Sequence, residues 1–240
     1  MNRLFAFGCS FTDWNYQIHH SNAYNNVNEH NKIHKFTEQD HFIHKLSVEL
    51  GLECINRGQG GASNAYILKT FYQSLPEFKK GDVILLQSTF GNRLTFHHRD
   101  TNEQMDLIGP MEEQGNPMIN EKRYGSNFIK TINDYLVLYN HPDFTIDTMY
   151  EPYPMISEWC KMKGIHIVFW SLDDYNPLGK LVESAPNGSG WCNWISENGL
   201  TIGDECGNGD GHLGLIGMDI MFEKFILIIK DVIARDLTNN

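Results

Sequence analysis

The chain has 240 residues, of which 41% are hydrophobic and 12% aromatic, enough to bury a sizeable core within one α/β domain. Its 19 basic residues stand against 30 acidic ones, a net charge of −11, which argues against nucleic-acid binding because no basic track could neutralise a phosphate backbone. No apolar stretch approaches the roughly 20 residues that span a bilayer, and the apolar patch at the start is too short for a signal segment; a cytoplasmic chain is expected.

In chain order, Leu4-Phe5-Ala6-Phe7 ending at Gly8 predicts a buried parallel strand followed by a turn. Residues 15–36 are polar, rich in Asn and His and without period, as in an inserted loop. From Glu38 to Leu50 the apolar positions Phe42, Ile43, Leu46, Val48 and Leu50 predict an amphipathic helix stopped by Gly51. Leu52 to Asn56 reads as a second strand, and Asn64 to Leu75 as a second helix closed by Pro76. Asp82 to Ser88 is the clearest buried strand. A loop-like tract follows through Asn120, with Gly109-Pro110 and Asn116-Pro117 as turn signals.

Helices are expected over 124–139 and 150–163, separated by His141-Pro142, with Gly164 ending the second. Ile165 to Trp170 is the next strand, and 173–211 is an irregular region rich in Gly, Pro, Asn and Trp. Leu215, Met218, Met221, Phe225, Ile229 and Val232 recur at helical spacing and predict a closing helix packed on the sheet. There is no internal repeat and no interdomain linker. The alternation predicts a single α/β domain over 1–240, with loop insertions near 15–36, 94–121 and 173–211. Its sheet should be mostly parallel, with about five strands covered on both faces. Ligands of such sheets sit at the carboxyl ends of the strands.

Distinctive residues lie at those ends. Gly8-Cys9-Ser10-Phe11-Thr12 follows the first strand, and Ser10 would project its hydroxyl above the sheet. Asn56-Arg57-Gly58-Gln59-Gly60-Gly61 follows the second, a glycine-rich turn into a helix that exposes backbone N–H groups. Thr89-Phe90-Gly91-Asn92-Arg93 follows the third and offers the Asn92 amide. Asp210-Gly211-His212 stands just before the closing helix. A serine hydroxyl needs a base, which His212 can supply, and Asp210 can fix its tautomer. Donors from Ser10 N–H, Gly61 N–H and Asn92 would then meet a developing oxyanion. Taken singly, each motif is commoner as an ordinary turn; their order carries the reading. The phosphate-loop and dinucleotide glycine spacings are absent.

The five cysteines have no paired spacing and read as reduced thiols, and most of the 11 histidines read as solvated or ordinary polar residues. Cys192, Cys206 and His212 could be drawn as a zinc site, but the usual ligand spacings are missing. A metal-dependent hydrolase is therefore a minor alternative.

The order of these blocks resembles the SGNH hydrolases, or GDSL-like esterases and lipases, named for Ser, Gly, Asn and His in four blocks. Phe7-Gly8-Cys9-Ser10-Phe11-Thr12 is similar to the first block, with Cys9 where the family usually has Asp. Asn56 to Ser63 fits the second and places Gly61 at the oxyanion glycine. Gly209-Asp210-Gly211-His212 resembles the last and makes His212 the base. Phe90-Gly91-Asn92-Arg93 departs from the third block, leaving Ser88 or Thr89 as alternatives to Asn92. Asp210 lies two positions before His212 rather than three, so a backbone carbonyl and a Ser–His dyad stay open.

The resemblance implies a flavodoxin-like three-layer α/β/α domain and ester hydrolysis through an acyl-enzyme, without metal or organic cofactor. The substrate would be a small-molecule or glycan ester, for example an acyl group on a sugar or lipid; the resemblance does not name which. Trp14, Tyr16, Tyr24, Phe96, Tyr175, Trp191 and Trp194 could line its pocket, although such residues more often pack their own loops. The rival is a catalytically inactive module of the same fold that binds carbohydrate or serves a structural role.

Overall fold

Apolar residues on both sides of the first strand dictate the architecture. The computed structural model describes residues 1–16, 18, 36–90, 93–97, 104–108, 130, 150–174, 176–202, 204 and 211–238, with 93–97 and 104–108 described as backbone. Strand β1 (Arg3–Phe7) is buried from Leu4 onward. It lies between β2 (Glu53–Asn56) and β3 (Val83–Ser88), parallel to both. Strands β6 (His166–Ser171) and β7 (Val182–Glu183) extend the parallel sheet to the order β2-β1-β3-β6-β7.

Helices cover both faces. Helix α1 (Phe42–Leu50) and the closing helix α5 (Leu215–Thr238) pack on one face, where Trp170 meets Phe42 and Phe225 edge-on. Helices α2 (Asn64–Ser74) and α3 (Tyr153–Lys163) pack on the other. There Phe7 meets Phe71 edge-on, and Phe169 stacks on Tyr153. Successive side chains of a strand point to opposite faces, so Phe169 and Trp170 serve different layers. This is the expected three-layer α/β/α arrangement with a five-stranded parallel sheet, in the flavodoxin-like strand order.

The helix ends at Gly51 and Gly164 match expectation; both glycines are left-handed and close α1 and α3. The predicted helix from Glu38 instead opens as a 3-10 turn, Glu38–Asp40, before α1 starts at Phe42. His41 intervenes in an extended conformation, and its ring nitrogen accepts the Ile43 N–H at 3.2 Å.

Two stretches read as irregular hold regular structure. An antiparallel pair, β4 (Arg93–His97) and β5 (Gln104–Ile108), occupies part of 94–121. Each strand has only two alternating apolar positions, too few to stand out, and the turn signals lie beyond it. Within 173–211 lie β7 and helix α4 (Trp191–Glu197). With two residues, β7 has no readable period. Trp191 is buried against Trp194 and Phe225, so it fills the core and does not line a pocket. The helix expected over 124–139 lies outside the described residues apart from Lys130, as does most of 15–36. No helix among the described residues is long and apolar enough to cross a membrane.

Candidate active site

The sheet's strand order changes direction between β1 and β3, and the crevice beyond that point is where this architecture binds ligands. Ser10 stands there, three residues past the end of β1. Its turn is closed by the Cys9 carbonyl, which accepts the N–H groups of Thr12 at 2.9 Å and Asp13 at 3.0 Å. The Ser10 side chain is buried, as are Cys9 and Thr12.

The glycine-rich turn after β2 is tied to the serine turn by backbone and side chains. Arg57 N–H donates to Ala6 O at 2.7 Å and Gln59 N–H to Gly8 O at 3.0 Å, extending the parallel ladder beyond the strands. Asn56 bridges the two turns, donating to Thr12 O at 2.6 Å and accepting from Gly58 N–H at 2.8 Å. Asp13 accepts the Gly60 N–H at 2.9 Å. Gly61 takes φ +78°, a backbone state that glycine adopts without a steric penalty. Ser63 then caps α2, accepting the Tyr66 N–H at 3.3 Å.

His212 arrives from the far end of the sequence. A bridge between Thr201 and Leu213, with Ile202 N–H donating to His212 O at 2.6 Å, fixes its backbone just ahead of α5. Its Nε2 lies 2.9 Å from the Ser10 Oγ, although 202 positions separate the two residues. The rings of Phe11 and Tyr16 lie 5.2 Å and 5.0 Å from the imidazole, centroid to centroid. A neutral imidazole with its proton on Nδ1 accepts the serine hydroxyl at Nε2, the geometry from which a proton can pass.

Thus the structure brings Ser10 and His212 together and sets the Gly61 turn beside the serine turn. Asn92 and Asp210 lie outside the described residues, as do Tyr24, Tyr175 and Cys206, while for Phe96 only the backbone is described. Of the alternatives to Asn92, Ser88 donates to Trp170 O at 3.3 Å and lies 3.2 Å from the Tyr150 hydroxyl. That hydroxyl also lies 2.9 Å from the Ser171 Oγ, and burial pushes its pKa up. Burial likewise pushes the thiols of Cys54 up to about 11 and Cys160 up to about 12, so both stay protonated. Among the described residues no three His, Cys, Asp or Glu side chains gather as a metal site.

Three residues to which the sequence reading gave no bracing role hold the site together. Gln87 accepts from Cys9 and Thr12, Asn56 links the two turns, and Asn64 binds Thr89 beyond β3. In the sequence Gln87 is the polar residue that ends the apolar run of β3, and Asn56 opens the glycine-rich turn.

No protein-family model matches the chain, and no curated protein matches it. Among solved structures, one from Desulfitobacterium hafniense DCB-2, described as that of a proposed lipolytic protein of the G-D-S-L family, aligns over 95% of this chain and 99% of its own. The identity is 12% and the TM-score 0.40, a likeness too slight to decide fold or chemistry.

Proposed function

We propose that the protein is a serine esterase of SGNH type, hydrolysing a carboxylic ester of a small molecule or glycan. The observation that supports this reading best is the 2.9 Å approach of His212 Nε2 to Ser10 Oγ at the carboxyl end of a parallel sheet. Ser10 is the nucleophile and His212 the base. As the Ser10 oxygen bonds to the ester carbonyl carbon, its proton passes to Nε2 and the carbonyl electron pair moves onto oxygen. The N–H groups of Ser10 and Gly61, with the side chain of Asn92, receive that oxyanion. Collapse expels the alcohol, which takes the proton from His212. Water then repeats the sequence on the acyl-enzyme and releases the acid. Asp210 orients the imidazole through Nδ1.

A fluorophosphonate, which phosphonylates an activated serine and releases fluoride, tests the reading directly. Labelling of the folded wild type that vanishes in Ser10→Ala and His212→Ala is expected. A folded wild type that takes no label, and hydrolyses nothing in a panel of acetyl, longer acyl and sugar esters, would favour the inactive binding module.

A further inference from the structure

We infer that Gln87 is a positioning residue for Ser10, its side-chain oxygen holding the turn on both sides of the serine. The inference deepens the proposed hydrolase and rests on that reading. Gln87 is fully buried near the end of β3, where the four preceding residues are Val83, Ile84, Leu85 and Leu86. Its Oε1 accepts the Cys9 N–H at 2.9 Å and the Thr12 hydroxyl at 2.7 Å. Those two donors flank Ser10 in the chain. A backbone N–H can only donate, so the atom facing Cys9 has to be the amide oxygen.

The rest of the local sequence fits around that oxygen. A Cβ on Gly8 would lie 2.1 Å from Gln87 Oε1 and 2.2 Å from Thr12 Oγ1, so only glycine allows the amide to sit there. Gly8, Thr12 and Gln87 therefore act as one unit, which gives the Gly8-Cys9-Ser10-Phe11-Thr12 segment a physical purpose. Meanwhile the Gln87 Nε2 is buried with no hydrogen-bond partner among the described residues. Leaving an amide N–H₂ buried and unpaired is unfavourable, so this glutamine is explained by what its oxygen holds. An apolar side chain would leave the Cys9 N–H and the Thr12 hydroxyl without their acceptor and release the turn. Proton transfer from Ser10 to His212 is sensitive to such a shift, since a 1 Å misplacement can cost roughly 100-fold in rate.

The test compares Gln87→Met, which keeps the length and loses the acceptor, with Gln87→Glu, which keeps the acceptor. Two readouts are taken on folded protein. The ¹⁵N shift of His212 Nε2 senses the Ser10 hydroxyl whether or not the protein turns over, with Ser10→Ala marking its absence. The rate of fluorophosphonate labelling senses nucleophilicity. Gln87→Met is expected to move the shift towards the Ser10→Ala value and slow labelling by about 10–100-fold, and Gln87→Glu to restore most of both. A folded Gln87→Met with the wild-type shift, or with the wild-type labelling rate, overturns the inference. Should Gln87→Met not fold, Thr12→Val removes one of the two donors and is expected to slow labelling by roughly 3–10-fold; an unchanged rate and shift there overturns it equally. A wild type that never labels defeats the esterase reading instead, and the shift alone then decides the role of Gln87.

Discussion

The side chain of Asn64 holds both backbone groups of Thr89, accepting its N–H at 2.7 Å and donating to its carbonyl at 2.8 Å. Asn64 opens α2 directly after the glycine turn, and Thr89 follows β3, so this clasp joins the ends of two neighbouring segments. Both residues are buried. Asn64→Ala leaves the Thr89 N–H without its acceptor in a site that solvent does not reach. The expected loss is about 1–3 kcal/mol of stability, read as a lower denaturant midpoint with an unchanged slope. A midpoint equal to wild type would show that the clasp contributes nothing.

At the opposite end of the sheet, Asp82 is buried and serves several donors. It accepts the Arg3 N–H at 2.9 Å and the Lys79 N–H at 2.8 Å, and pairs with the Arg3 guanidinium at 2.7 Å. Asp82→Ala leaves two amides without their acceptor and takes the ion-pair partner from the Arg3 guanidinium, which still donates to the Glu77 carbonyl. The unsatisfied amides cost about 1–3 kcal/mol each. The site at the carboxyl ends of the strands is untouched, so fluorophosphonate labelling per folded molecule should match wild type. A selective loss of labelling at full stability would contradict this separation of roles.

The layers of this fold were legible because each has a strong local cause. Buried runs such as Val83 to Leu86 have no polar residue to place them elsewhere, and Gly51 and Gly164 mark helix ends by a backbone state that other residues avoid. The pair Ser10 and His212 was legible from the order of motifs, although nothing local to either residue encodes their meeting. What escaped was long-range polar bracing. Asn56, Asn64 and Gln87 each act on a partner that is remote in sequence or on another element, and an asparagine in a loop looks the same whether it bridges two turns or faces water. The short β7 and the β4–β5 pair escaped for another reason: their pairing is set by neighbours, with too few residues to show a period.

Burial gives His41 a strong dependence on pH. The side chain is fully buried, and that burial, aided by the charge of Lys45 and by His44, lowers its pKa from 6.5 to about 3. It is neutral in the fold, with Nδ1 accepting the Ile43 N–H that starts α1. An unfolded chain takes up a proton here below about pH 6.5, whereas the folded chain resists until about pH 3. The contribution is therefore complete above pH 6.5 and is lost as the pH falls towards 3. His41→Asn keeps an oxygen to cap α1 and removes the titration. Between pH 6.5 and 5, before most carboxylates titrate, wild type should lose about 1.5 kcal/mol more than this variant. Parallel stability curves across that interval would mean that His41 does not stay neutral in the fold.

Asp210 distinguishes a triad from a dyad. Its place two residues before His212 differs from the three-residue spacing of the family that the sequence resembles. The imidazole of His212 already packs against the rings of Phe11 and Tyr16, and the Ile202–His212 bond fixes its backbone. Orientation by packing makes a carboxylate partly redundant, while stabilising the imidazolium does not come from packing alone. Asp210→Ala should accordingly lower kcat by about 10–1000-fold, less than Ser10→Ala or His212→Ala does, with KM little changed. Losses equal to those of His212→Ala would mean that packing does not orient the ring at all, and an unchanged kcat would leave Ser10 and His212 as a dyad.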